Sequence, residues 1–190
     1  MSVAGIVALA VLAVCAIYFI MVYNNLVMVK HNVSKAWANI DVLLKQRHDE
    51  LPKLVETCKQ YMKFEQETLE KVMQARTQVS QAREQRDMGA LGAAEGSLRM
   101  GIDKLFAVAE AYPDLKTNET FLHLQGRISG LENAIADRRE FYNESVNVNN
   151  VRIEQFPDLM VARMLNFGPF ELLEFSASET GDVSVKQLFS

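Results

Sequence analysis

No charged side chain occurs anywhere from residue 3 to residue 22. Twenty helical residues at about 1.5 Å rise cover about 30 Å, the hydrocarbon thickness of a bilayer. Such a run leaves the chain little choice, and it predicts a membrane-spanning helix bounded by Val3 and Val22. No turn signal follows it. Leu26, Val29, Val33, Ala36, Ile40 and Leu43 recur at alternating steps of three and four, which is the seam of a coiled coil or bundle. The anchor is therefore expected to become the first helix of a bundle.

Within the run, Ala4 and Ala8 form a small-x-x-x-small pair beside Gly5, a face on which membrane helices approach closely. Tyr18, Phe19 and Tyr23 stand near its far boundary, where amphipathic rings favour the headgroup region. No Lys or Arg precedes the run, and Tyr23-Asn24-Asn25 is not a small-x-small cleavage site. Retention as an anchor is the expectation, not removal as a signal peptide. Lys30 and Lys35 follow the span, so the positive-inside bias puts the N-terminus outside and the rest of the chain in the cytoplasm.

Beyond the anchor, about 165 residues suffice for one domain with its own core. The net charge of −4 is modest, and Lys and Arg are interspersed with Asp and Glu. That pattern lacks the basic stripe of a nucleic-acid binder, and no nucleic-acid partner is expected. Cys15 lies in the membrane run and Cys58 is the second of two cysteines, so one chain cannot build a disulfide framework or a thiolate metal cage.

Pro52 predicts an end to the first soluble helix near Glu50, with a new helix or a kinked continuation beyond. Leu51, Leu54, Val55, Cys58, Met62, Leu69, Val72 and Val79 carry a helical face to about Arg86. Three glycines between residues 88 and 96 weaken helix and suggest that the chain reverses there. Leu98, Ile102, Leu105 and Phe106 predict a third, shorter helix stopped at Tyr112 by Pro113. Asp114 or Asn118 can cap a fourth, whose apolar positions Phe121, Leu124, Ile128, Leu131 and Ile135 carry it toward Phe156 and Pro157. A short apolar piece spans residues 159–167, and residues 176–190 read as a mobile tail. The Val183 and Val185 alternation is too short to make a strand.

The fold class expected is therefore all-α: an N-terminal transmembrane helix continuing into a long-helix antiparallel bundle. Its organisation is an anchor over 1–23, a bundle domain over 24–175 and a flexible tail over 176–190.

No constellation points to catalysis, cofactor or metal. A carboxylate-bridged metal pair needs Glu-x-x-His facing the bundle interior, and none of His31, His48 and His123 has Glu three residues before it. Glu119 and His123 make one weak pair. Gly89, Gly92 and Gly96 lack the strand and the Gly-Lys-Ser/Thr of a phosphate loop, and the serines lack a nucleophile elbow. The informative polar residues lie on or beside the apolar seams: Asp41, Arg47, Asp49, Glu132, Asn133, Arg138, Arg139 and Asn143. Buried charge is costly unless paired, so Asp41 or Asp49 with Arg47, and Glu132 with Arg138 or Arg139, are expected to form an interhelical network.

Several blocks carry a family resemblance. Tyr23-Asn24-Asn25-Leu26-Val27, the run from Ala36-Trp37-Ala38-Asn39-Ile40-Asp41 to Lys45, Leu51-Pro52-Lys53-Leu54-Val55-Glu56, the run from Ala109 through Tyr112-Pro113-Asp114 to Lys116, Glu132-Asn133-Ala134-Ile135-Ala136, Phe141-Tyr142-Asn143 and Phe156-Pro157 resemble, in order, the pattern of the LemA family of bacterial membrane proteins. Lys53, Gln60 and Asn149-Asn150 depart from it. The resemblance implies a single membrane span with a short external N-terminus, an α-helical soluble domain, and no established reaction. Because relatives include proteins needed to form magnetosome membranes, it also implies, by analogy, a membrane-organising role.

The function expected is a non-enzymatic scaffold in the bacterial inner membrane, self-associating and organising or remodelling the bilayer. Its partners would be the lipid bilayer and further copies of itself. The alternative is an adaptor that recruits a protease, chaperone or signalling protein to the membrane.

Overall fold

The computed structural model describes residues 2–174; the expected tail over 176–190 and its Val183 and Val185 lie outside the described residues. Among the described residues six helices follow one another: α1 (Val3–Lys59), α2 (Gln66–Gln85), α3 (Met88–Ala109), α4 (Pro113–Lys116), α5 (Glu119–Glu154) and α6 (Asp158–Met164). No strand occurs among the described residues. The class is all-α, and a long apolar N-terminal helix leads it.

The chain forms two compact units, and both α1 and α5 pass from one into the other. The first unit comprises residues 1–39 and 140–172. Here α1 is exposed up to Met21 apart from the half-buried Gly5, and full burial begins at Val22. Val22 and Leu26 pack with Ile153 from the end of α5 and with Val161 and Ala162 of α6, and Phe167 closes against them. Higher on the same two helices, Trp37 meets Tyr142 edge-on at 6.0 Å between ring centroids. Over residues 165–174 the chain has no regular structure, so its backbone polar groups need partners. Asn150 supplies two of them, accepting from the Phe170 N–H and donating to the Phe170 carbonyl, both at 2.9 Å. The Tyr142 hydroxyl donates to the Glu171 carbonyl at 3.0 Å.

The second unit comprises residues 40–139 and the described residues from 173 on. Its helices pack antiparallel, as their cross-pairs record. Asp41 and His48 of α1 meet Arg83 and Arg76 of α2, seven residues forward against seven back. Arg47 and Glu50 of α1 meet Glu132 and Arg127 of α5, again in opposite order. Helices α2 and α3 form a hairpin, and the core is filled by Ile40, Leu44, Leu54, Leu69, Leu91, Leu98, Ile102, Leu105 and Ile128.

Three boundaries differ from the sequence expectation. Helix α1 continues unbroken through Pro52 to Lys59. An interior proline costs about 3 kcal/mol, but Leu51, Leu54, Val55 and Cys58 are all buried on this last stretch, and burial of several apolar side chains outweighs it. The second arm is interrupted between Lys59 and Gln66 instead of running whole to Arg86.

The expected reversal over 88–96 is overturned: that run is the first two turns of α3. The chain reverses instead at Arg86-Asp87, where Arg86 adopts φ 55° and its N–H, with that of Asp87, satisfies the last carbonyls of α2. This is a left-handed C-cap made without glycine. Asp87 then caps α3, accepting from the Ala90 N–H at 2.8 Å. Of these glycines Gly92 serves packing: a Cβ there would strike the backbone carbonyl of Glu174. Elsewhere local signals hold. Pro113 opens α4, and the Asn118 side chain caps α5 by accepting from the Phe121 N–H at 2.9 Å.

Candidate functional site

Two features stand apart from ordinary bundle packing. The first is the lower part of α1. Ile6, Val7, Leu9, Val11, Leu12, Val14, Ile17, Ile20 and Met21 are all exposed, on a helix long and apolar enough to cross a membrane. Water does not tolerate such a surface: each fully exposed large aliphatic forgoes about 1.5–3 kcal/mol of burial. Val3, Ala4 and Ala8 share this exposure, Gly5 is half-buried, and Tyr18, Phe19 and Tyr23 are exposed at the upper end. Tyr23 meets Phe167 edge-on at 6.2 Å, with the Lys30 ammonium 5.8 Å from the same ring.

The second feature is a buried charge cluster in the second unit. Arg47 is placed by α1 on the core-facing stripe of Ile40, Leu44, Leu51 and Leu54, and its side chain is 1% exposed. One terminal nitrogen pairs with Glu95 of α3 and the other donates to Glu132 of α5 at 2.6 Å. Its Nε meets no acceptor among the described residues. Arg139 is also buried and acts on Glu95. Desolvation works against the Arg47 cation, but the two carboxylates outweigh it and hold the guanidinium above its ordinary range. Burial pushes the Glu95 carboxyl up, with Arg47 opposing.

The remaining sequence-singled residues lie apart. Asp41 pairs with Arg83 at 3.5 Å; Asp49, Asn133 and Arg138 are exposed; Asn143 is half-buried. Glu95 is the residue that sequence reasoning misses, because the glycines around it suggest a turn. Its signal was nonetheless present: Leu91, Glu95, Leu98, Ile102 and Leu105 continue one three-four rhythm, so a carboxylate sits in a core register.

The cluster has no room for a substrate. The space bounded by Glu95, Arg99, Glu132, Ile135, Ala136 and Arg139 is about 10 Å³, roughly the volume that admits one water. A larger cleft of about 670 Å³ runs between the end of α1 and α2, lined by Val55, Met62, Leu69 and Met73 with Lys59, Lys63, Gln66 and Glu70. Burial pushes the Cys58 thiol up to about 12, so it is not a thiolate nucleophile. Among the described residues no three His, Cys, Asp or Glu side chains converge on a metal position.

An exposed apolar helix leading into helices held by an internal charge cluster defines a class: a membrane-associated, all-helical protein. The chain belongs to the LemA family, whose pattern it matches over residues 36–187. It is 24% identical to Magnetosome protein MamQ 2 of Paramagnetospirillum magneticum, over 97% of this chain and 77% of that one. It is 28% identical to Protein LemA of Metamycoplasma hominis, over 94% of this chain and 81% of that one.

Proposed function

We propose that this chain is a non-enzymatic scaffold of the bacterial inner membrane that self-associates through its anchor and organises or remodels the bilayer. The observation that carries the reading is the continuity of α1, one helix from an exposed apolar run into a packed core. Such a join passes force and orientation between bilayer and bundle without a flexible linker. The Ala4 and Ala8 face beside Gly5 suits close helix approach in lipid, and similarity to magnetosome proteins suits a membrane role. In this reading residues 1–23 are the anchor and 24–175 the functional bundle. The N-terminus is outside and the bundle is in the cytoplasm, following Lys30 and Lys35.

The test is the mass of the full chain in mild detergent, with and without residues 1–22. A large discrete assembly that collapses on removing the anchor is the expected result. A monomer in both forms refutes the scaffold.

A second reading, a membrane adaptor for a protein partner, is favoured by Phe64, which is 92% exposed between α1 and α2. A Phe64→Ser variant that keeps its assembly mass but loses a co-purifying protein would select it.

A further inference from the structure

In the first unit α5 descends along α1 in strict register. Trp37 faces Tyr142, and Leu26 shares a core with Ile153; both pairs are separated by eleven residues on their own helix, about 16 Å at 1.5 Å per residue. Helix α5 therefore runs out at Glu154, level with Asn25 and about four residues, one helical turn, above Met21, where the exposed run of α1 begins. The chain then turns at Phe156-Pro157 into α6, which packs Val161 and Ala162 onto Val22 and Leu26.

The opposite side of this short segment is apolar and uncovered. Phe156 is 79% exposed, Met160 65% and Met164 62%, spaced four residues apart so that the two methionines share one face of α6. The helix carries a single acid, Asp158, and that acid is turned inward: its side chain is 8% exposed and pairs with Arg152 Nε at 2.6 Å. Arg163 remains exposed beside the methionines. An interfacial helix has this character, with an apolar face and an exposed cation; the exposed Glu154 stands before the turn, at the end of α5.

We infer that Phe156, Met160 and Met164 form a foot that enters the headgroup and acyl boundary of the same bilayer the anchor spans. The occupant is lipid because the foot is built directly onto Val22 and Leu26, the first buried residues after the exposed run. That packing places the foot beside the end of the exposed run of α1. The foot gives α1 a second point of contact with the bilayer and thereby resists tilt and rotation. This inference rests on the anchor reading above.

The test uses full-length protein in vesicles of phosphatidylethanolamine and phosphatidylglycerol. Spin labels are placed singly through Leu12→Cys, Met160→Cys, Met164→Cys and Phe141→Cys in a Cys15→Ser background; Cys58 is buried and stays unlabelled. Collisions with oxygen, which partitions into lipid, are compared with collisions with a water-soluble nickel complex. Positions 160 and 164 should show an oxygen preference several-fold above that at 141 and approaching that at 12. Lipid exposure at 12 with water exposure at 160 and 164 overturns the foot and leaves the anchor standing. Water exposure at 12 overturns both. Labels at 160 and 164 that are immobilised and spin-coupled to each other's copies, without oxygen preference, assign this face to a second chain and likewise overturn the inference.

Discussion

Replacing Arg47 by methionine removes a cation that is 1% exposed from between Glu95, 7% exposed, and Glu132, 18% exposed. Methionine fills most of the volume, so the change isolates charge. Removing one partner of a buried pair costs about 3–5 kcal/mol because the other is left buried and uncompensated. Glu132 keeps some contact with water and Arg139 still acts on Glu95, which favours the lower end, about 3 kcal/mol. At about 2–4 °C per kcal/mol for a chain of this size, the melting temperature should fall by roughly 6–12 °C. The sign of the pH dependence is also determined. Burial already raises the Glu95 carboxyl, so the folded chain holds that proton to higher pH than the unfolded chain. Stability from this group is greatest below the unfolded carboxylate value of about 4.3 and is lost as pH rises through the folded one. Without Arg47 the folded value climbs further and the loss at neutral pH deepens. Thermal unfolding of the full chain in mild detergent, followed by far-UV circular dichroism at pH 7.5 and 4.5, should show a deficit that is large at the first and small at the second. Adding Glu95→Gln should recover part of it at pH 7.5. A deficit under about 1 kcal/mol, as exposed ion pairs give, or one that does not change with pH, refutes the argument.

Glycine substitutions should divide by packing. Gly126→Ala and Gly130→Ala meet nothing within 4 Å on α5 and together should stabilise by about 1–2 kcal/mol, whereas Gly92→Ala should destabilise by about 1–2 kcal/mol despite the same helix gain; equal effects in denaturant unfolding would count against the close approach. Asn150→Ala loses both hydrogen bonds to Phe170 and should cost about 1–2 kcal/mol, with faster proteolytic cleavage over residues 167–174. Burial, with Arg76 beside it, lowers His48 below its ordinary 6.5, and Arg76 Nη2 lies 2.6 Å from His48 Nε2. The unfolded chain therefore takes up this proton first, and stability from this site should fall as pH drops below 6.5; a His48→Asn variant with the same slope between pH 7 and 5.5 would exclude His48 as its source.

Much of the fold was legible because its determinants are local. The uncharged run of residues 3–22, the three-four rhythm of α1 and α5, the prolines at 113 and 157 and the Asn118 cap act through a few neighbours in the chain. Each survives in the structure at or within a few residues of its expected place. Tertiary packing decided the rest. The run with glycines at 89, 92 and 96 is helix because Leu91, Ala94 and Leu98 are buried on one face of α3, while Gly92 makes room for the Glu174 backbone, a segment about eighty residues away that leaves no trace in the local pattern. Pro52 stayed inside α1 because its neighbours are buried. Arg47 was recognisable as a charge on a seam, but its choice of Glu95 and Glu132 over Asp41 and Asp49 depended on which helices face one another. The exposure of Met160 and Met164 was likewise open, since a seven-residue amphipathic piece has no preferred side until Val22 and Leu26 take one of its faces. Sequence alone set where the long uncharged apolar run lies and that the chain is helical through its core; only the packed structure decided which charges are buried together and which apolar faces stay exposed, because both depend on contacts between residues far apart in the chain.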